Sequence, residues 1–210
     1  MEMQISAINI PAPTGTLPAG LIVILHGWGA NAQDLAPLST ELNLPEFQFI
    51  LPDAFLPHPQ VPGGRMWYDL ASPQYDGLGD SRGLLADWLL SLEGHTQVPL
   101  SRTILCGFSQ GGAMALDIGS QLPLAGLVIL SGYLHVVPEK PEAQEIPPIL
   151  MIHGRQDQVV PVQAAQQARE TFEALGAQIN YYELDMGHEI RPEAVQLMQS
   201  FIIKTFSPVE

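Results

Sequence analysis

The segment Thr103-Ile104-Leu105-Cys106-Gly107-Phe108-Ser109-Gln110-Gly111-Gly112 decides the architecture. Its opening run, TILCG, suits a short strand buried on both faces of a sheet. The residues that follow, Gln110–Gln121, read as a helix. Between them stands G-x-S-x-G, a serine with a glycine two residues to either side. A serine in so tight a strand-to-helix turn takes a strained backbone conformation, and those two neighbours must lack bulk. Its hydroxyl then projects from the end of the sheet. The helix N-terminus behind it offers free N–H groups and positive potential. A glycine-rich turn can match G-x-S-x-G by chance, so the strand before it and the helix after it give the match its weight.

Working outward, similar apolar runs recur. They are Gln4–Ile10, Leu21–Leu25, Phe47–Leu51, Gly126–Leu130, Ile149–Ile152 and Ile179–Leu184. Together with Thr103–Gly107 they make about seven strands. Helical patterns fall between most of them, over Asp34–Leu42, Asp80–Leu92, Val162–Leu175 and Pro192–Phe206. The second carries Leu84, Leu85, Trp88, Leu89 and Leu92 as an apolar stripe. Alternating strands and helices predict one α/β domain over residues 1–210, a mostly parallel central sheet with helices on both faces. Two stretches break the rhythm. Pro52–Gly79 holds five prolines and four glycines, and Val136–Pro148 holds four more prolines and several acids. Long aperiodic loops in compact domains tend to carry function.

Composition narrows the partners. The chain has 210 residues, 46% of them hydrophobic and 14% charged, which excludes wholesale disorder. Eight basic residues stand against 22 acidic ones, a net charge of −14. Only two lysines occur, Lys140 and Lys204. A chain so poor in cations can hardly build a phosphate-reading face, so neither nucleic acid nor an anionic lipid surface is an expected partner. One cysteine, Cys106, leaves no internal disulfide and fits a reducing compartment. The start, MEMQISAINIPAP, has no basic region and no long apolar run, so a secretory signal is not expected. No stretch is long enough to span a bilayer. The expected location is the cytoplasm. No cluster of His and Cys suggests a metal, and no cofactor is expected.

A serine nucleophile needs a base, and the base needs an acid to fix its tautomer. In the strand-turn-helix setting of Ser109 the chain order is serine, acid, histidine. Three histidines follow Ser109. His188, in Asp185-Met186-Gly187-His188-Glu189 after the last strand, is favoured as base. His153, at a strand end, is expected to pack there, and His135, at the edge of the second irregular stretch, to be solvated. For the acid the reading favours Asp157, in the loop after Ile149–Ile152, over Asp185, which sits too near His188 on one turn. Two backbone N–H groups would hold the oxyanion: that of Gln110, after the nucleophile, and that of Trp28, in His26-Gly27-Trp28-Gly29. His26 is expected to brace that loop, and Cys106 to be a buried small hydrophobe. Trp67-Tyr68-Asp69 reads either as a packing cluster anchoring a long loop or as a wall of the acyl groove. Leu78, Val159 and Val160 are candidates for the same wall.

Taken together, LHGWGA, PDAFLPHP…GGRMWYD, GFSQGGAMAL, HGRQDQVVP and GHE resemble the phospholipase/carboxylesterase family, which includes acyl-protein thioesterases. The resemblance runs from about Leu21 to Phe206. It implies an α/β-hydrolase fold with no large cap domain and hydrolysis of esters or thioesters of moderate acyl chains. It puts the nucleophile on Ser109, the acid on Asp157, the base on His188 and the oxyanion amides on Trp28 and Gln110. Trp28 departs from the leucine frequent in the family, so its indole is expected to narrow the acyl pocket. The implied partner is a small ester or an acylated thiol. A homodimer is left open, as are a hydrolase-fold binding protein that has lost catalysis and an exopeptidase.

Overall fold

A computed structural model describes residues 5–13, 17–138 and 145–207. The expected strand start at Gln4, and Lys140, lie outside them. Seven strands form one sheet: β1 (Ala7–Ile10), β2 (Gly20–Leu25), β3 (Phe47–Pro52), then, beyond a two-residue pair β4 (Leu56–Pro57) and β5 (Arg65–Met66), β6 (Thr103–Phe108), β7 (Gly126–Leu130), β8 (Ile149–Gly154) and β9 (Ile179–Leu184). The order across the sheet is β1-β3-β2-β6-β7-β8-β9. β1 runs antiparallel to β3, and every other neighbouring pair is parallel. This is the α/β-hydrolase arrangement of a mostly parallel sheet.

The helices are α1 (Ala32–Leu35), α2 (Pro37–Glu41), α3 (Leu78–Thr96), α4 (Gln110–Gly119), α5 (Val162–Ala174) and α6 (Pro192–Phe206). Successive strand residues face opposite sides and divide the core in two. Leu21, Val23, Leu105, Leu127 and Ile129 join Leu85 and Leu89 of α3, Met114 of α4 and Phe172 of α5. Ile22, Ile24, Ile104, Cys106 and Val128 join Leu35 of α1, Leu38 of α2 and Met198 and Phe201 of α6. Strands β2 and β7 are therefore apolar and buried along their whole length, because both faces are covered. Edge strand β9 alternates between half-buried and exposed positions instead.

Most bounds shift from the sequence reading by a residue or two, and two helices differ further. The segment expected as one helix over Asp34–Leu42 is two short ones. Asn31 caps the first, its side chain accepting from Gln33 N, and the break falls at Pro37, which has no N–H to continue the ladder. Helix α3 is longer than Asp80–Leu92 at both ends, because its last turns are polar and exposed and leave no apolar period to read. Among the described residues no helix is long and apolar enough to cross a membrane.

Candidate active site

Chain direction from β2 to β3 runs one way across the sheet, and from β6 through β9 it runs the other. The switch lies between β2 and β6, and ligands collect outside the carboxyl ends of strands at such a point. The loop with Gly27 and Trp28 follows β2, and Ser109 follows β6. Asp157 follows β8, and His188 follows β9.

Ser109 has φ 54° and ψ −117°, a region that costs a non-glycine residue about 1–3 kcal/mol and persists only where surroundings enforce it. Here they do. Ser109 N–H donates to Leu130 O at 2.8 Å. A Cβ on Gly107 would stand 2.1 Å from Gly111 O, and one on Gly111 would stand 2.4 Å from Leu25 O. Both positions therefore demand glycine, and α4 starts hard against the end of β2. That contact places the Gln110 N–H, first of its helix and without an intrahelical acceptor, beside the Trp28 loop.

His188 Nε2 lies 2.9 Å from Ser109 Oγ, and its Nδ1 lies 2.7 Å from Asp157 Oδ2. Asp157 Oδ1 accepts the N–H groups of Val159 and Val160 at 2.9 and 2.8 Å. Burial pushes the Asp157 carboxyl up, but the bonds from His188, Val160 and Val159 outweigh it and hold its pKa below the ordinary carboxylate value. An ionised Asp157 accepts the Nδ1 proton, which leaves the Nε2 lone pair facing Ser109 Oγ. The His188 ring also rests against Phe108, with centroids 4.8 Å apart.

The other candidates occupy other positions. His153 is buried and donates from Nε2 to Val160 O at 2.8 Å, packing at its strand end as expected. Asp185 is exposed and pairs with Arg155 at 2.7 Å. His26 accepts from Ala54 N–H at Nε2 and donates to Gly27 O from Nδ1. Burial holds its pKa down, so the neutral ring braces the loop. Burial pushes the Cys106 thiol well up, away from nucleophilic use. His135 departs from the sequence reading. Its side chain is only 2% exposed, with Asp117 on one nitrogen and the Tyr68 hydroxyl on the other.

A pocket of about 510 Å³ opens over Ser109 and His188, walled by Trp28, Leu70, Tyr75, Tyr133, Val159 and Val160 among others. Two residues expected in that wall are absent from it. Trp67 is fully buried, its indole N–H donating to His26 O at 3.0 Å, and Leu78 packs against the core at the start of α3. The Gln110 side chain explains why: its Oε1 accepts from Trp67 N–H and its Nε2 donates to Tyr68 O. It bolts the long loop to the turn, so Trp67 anchors rather than lines. Sequence reasoning used only the Gln110 backbone. It also missed Asp117, whose signal was present: a lone acid in the otherwise apolar QGGAMALDIG helix requires a partner.

The chain matches known proteins along nearly its whole length. A model of the phospholipase/carboxylesterase family fits residues 12–206. Acyl-protein thioesterase 1 of Neurospora crassa is 30% identical over 213 residues, covering 88% of this chain and 83% of that protein. Lysophospholipase-like protein 1 of Mus musculus is 27% identical, covering 94% and 93%. The crystal structure of esterase PE8 superposes with a TM-score of 0.87 at 30% identity, over 96% of this chain and 99% of that one. Acyl-protein thioesterase 2 of Zea mays gives a TM-score of 0.78 at 25% identity, over the same two shares. The protein is thus a hydrolase, and the chain belongs to the phospholipase/carboxylesterase family.

Proposed function

We propose that this hydrolase cleaves carboxylic esters or thioesters through an acyl-enzyme on Ser109, with His188 as general base and Asp157 as its orienting acid. One observation carries the reading. Asp157, His188 and Ser109 stand in an unbroken hydrogen-bonded line of 2.7 and 2.9 Å that ends in an apolar pocket.

Ser109 Oγ attacks the carbonyl carbon while its proton moves to His188 Nε2. Asp157 keeps its charge and stabilises the imidazolium that forms. The carbonyl oxygen becomes an oxyanion, held by the N–H groups of Trp28 and Gln110. Collapse expels the alcohol or thiol, which takes the proton from His188. Water then enters, gives a proton to His188 and attacks the acyl carbon, and collapse returns the proton to Ser109 Oγ. The apolar walls at Trp28, Val159 and Val160 suit an acyl chain, each buried methylene contributing about 0.8 kcal/mol. The names of the thioesterase and esterase relatives support the choice of substrate class.

The test is a fluorophosphonate probe with peptide mapping. Covalent label on Ser109, lost in Ser109→Ala together with hydrolysis of p-nitrophenyl butyrate, is the expected result. Label elsewhere, or substantial hydrolysis by Ser109→Ala, overturns the proposal. The same two assays separate an enzyme from a binding protein on this fold.

A further inference from the structure

A second hydrogen-bonded string runs behind the pocket, and the steps above make no use of it. Arg82 of α3 holds Asp117 of α4 at 2.6 Å. The same Asp117 Oδ2 lies 2.6 Å from His135 Nδ1. His135 Nε2 lies 2.6 Å from the Tyr68 hydroxyl, which lies 2.5 Å from the Tyr133 hydroxyl. Asp117, His135 and Tyr68 have buried side chains, and Tyr133 lines the pocket over Ser109. Tyr75, another wall residue, packs edge-on against both Tyr68 and His135.

Donor accounting orders the protons of this string once the imidazole tautomer that serves Asp117 is taken. Asp117 Oδ2 accepts from Arg82 and takes a further donor from His135 Nδ1. In the imidazole tautomer that gives Asp117 this donor, Nδ1 carries the proton and Nε2 the lone pair. Tyr68 must therefore donate to His135. The Tyr68 oxygen then accepts, and the donor is Tyr133. Burial pushes both phenols up, Tyr133 to about 12, so neither ionises near neutrality. Tyr133, a wall residue of the pocket, spends its one proton on Tyr68 and has lone pairs alone for a group that reaches its oxygen.

We infer that Tyr133 is a specificity-determining residue, fixed by Asp117, His135 and Tyr68 as a hydrogen-bond acceptor that selects substrates carrying an O–H or N–H donor beside the scissile ester. His135 and Tyr68 are positioning residues, acting only through Tyr133. The string serves discrimination because a pocket oxygen locked as acceptor gains a bond from a donor-bearing substrate and desolvates without return against one that has none. The donor sits on the acyl part or on the alcohol part, and the two are separable by experiment. The inference rests on the proposed ester chemistry at Ser109.

The experiment compares matched substrates. One ladder is p-nitrophenyl esters of hydroxyacyl and methoxyacyl chains with the oxygen moved along the chain. The other is hydroxyalkyl and methoxyalkyl butyrates. In the wild type the ratio of kcat/KM, hydroxy over methoxy, should peak roughly 3- to 10-fold above one at some position on one ladder. The ladder that shows the peak identifies the side that bears the donor. Tyr133→Phe should bring the peak down to one. Tyr68→Phe frees the Tyr133 proton, so its hydroxyl can donate as well as accept and the ratio should fall toward one. A flat ratio on both ladders, or a peak that survives Tyr133→Phe, overturns the inference. Should Tyr68→Phe misfold, Tyr133→Phe still decides. Because each ratio compares two esters cleaved by the same chemistry, it fails separately from the Ser109 reading, which the fluorophosphonate label tests.

Discussion

Two aspartate–histidine pairs stand close to one pocket, and locally they look alike. Asp157 and His188 are 2.7 Å apart, Asp117 and His135 2.6 Å. Each histidine turns its other nitrogen to a hydroxyl, Ser109 at 2.9 Å and Tyr68 at 2.6 Å. Their surroundings differ in three ways. Asp157 meets His188 at 2.7 Å, His153 at 3.5 Å and two N–H dipoles but, among the described residues, no arginine, so its charge can stabilise an imidazolium. Asp117 has already given its charge to Arg82. Ser109 is an alkyl hydroxyl on a strained turn at a helix N-terminus, whereas Tyr68 is a fully buried phenol that passes its bond on to Tyr133. The His188 side chain is 17% exposed and His135 only 2%, so substrate reaches the first alone. An acid–histidine–hydroxyl string is therefore not by itself a catalytic device. On the proposed chemistry it becomes one where the acid has no arginine partner, the hydroxyl faces the pocket, and N–H groups can take the oxyanion.

The largest effects should come from removing members of the first pair and its serine. Ser109→Ala and His188→Ala are each expected to lower kcat for p-nitrophenyl butyrate by about a millionfold, with the double variant little worse than either. His135→Ala should cost less than about tenfold on the same ester. Steady-state kinetics on the three variants decides. Single-variant losses that multiply in the double, or a His135→Ala loss matching His188→Ala, would erase the distinction between the pairs.

The acids should separate next. Asp157→Asn is expected to lower kcat by about 10³–10⁴, since an amide no longer fixes the productive tautomer. Asp117→Asn should lower it less than tenfold, roughly, and show itself in a lower melting temperature, because Asp117 is buried between Arg82 and His135. Asp185→Asn, on the exposed side of its loop, should do least. A reversed ranking of Asp157 and Asp185 would mean the acid is misassigned.

The legibility of the two pairs differs for a physical reason. The inner strands of the sheet left apolar runs, because both their faces are buried, and the turn at Ser109 left its two glycines. Strand ends fix where loops emerge, so Asp157 and His188 could be placed from chain order alone. The second pair left no such trace. His135 follows β7 in an aperiodic stretch, and its partners are 18 and 67 residues away, joined only by tertiary packing. Trp67 and Leu78 read as candidates for the pocket wall for a related reason. Apolar character predicts burial, but not which side of a loop is buried. The Gln110 side chain settles that side, and it forms no pattern in the sequence.

A change in the pocket away from both pairs should alter selectivity and leave the chemistry. The Trp28 ring is 40% exposed and meets His58 edge-on at 4.3 Å, while its backbone serves the loop beneath. Trp28→Leu keeps the amide and shrinks the wall. It should raise kcat/KM several-fold for longer p-nitrophenyl acyl esters, at about 0.8 kcal/mol per methylene newly accommodated, and change the acetyl ester little. An equal loss on every chain length would mean the indole shapes the oxyanion loop instead.

The smallest effect is on acid stability, and it tests whether Asp157 carries the charge that the comparison gives it. Its folded-state pKa is depressed, because the bonds from His188, Val160 and Val159 outweigh burial. An unfolded aspartate titrates near 3.9, so between that value and the lower folded one the unfolded chain binds the extra proton. Stability from this carboxylate is then fully present above about pH 5 and is lost as pH falls through the folded pKa. Asp157→Asn has no such proton to bind. Urea midpoints measured for both proteins between about pH 5 and pH 2 should therefore converge as acid is added, the wild type losing its advantage. A gap that stays constant across that window would show an Asp157 that is uncharged or unpaired in the folded protein. It would also remove the feature that sets the Asp157 pair apart from the one at Asp117.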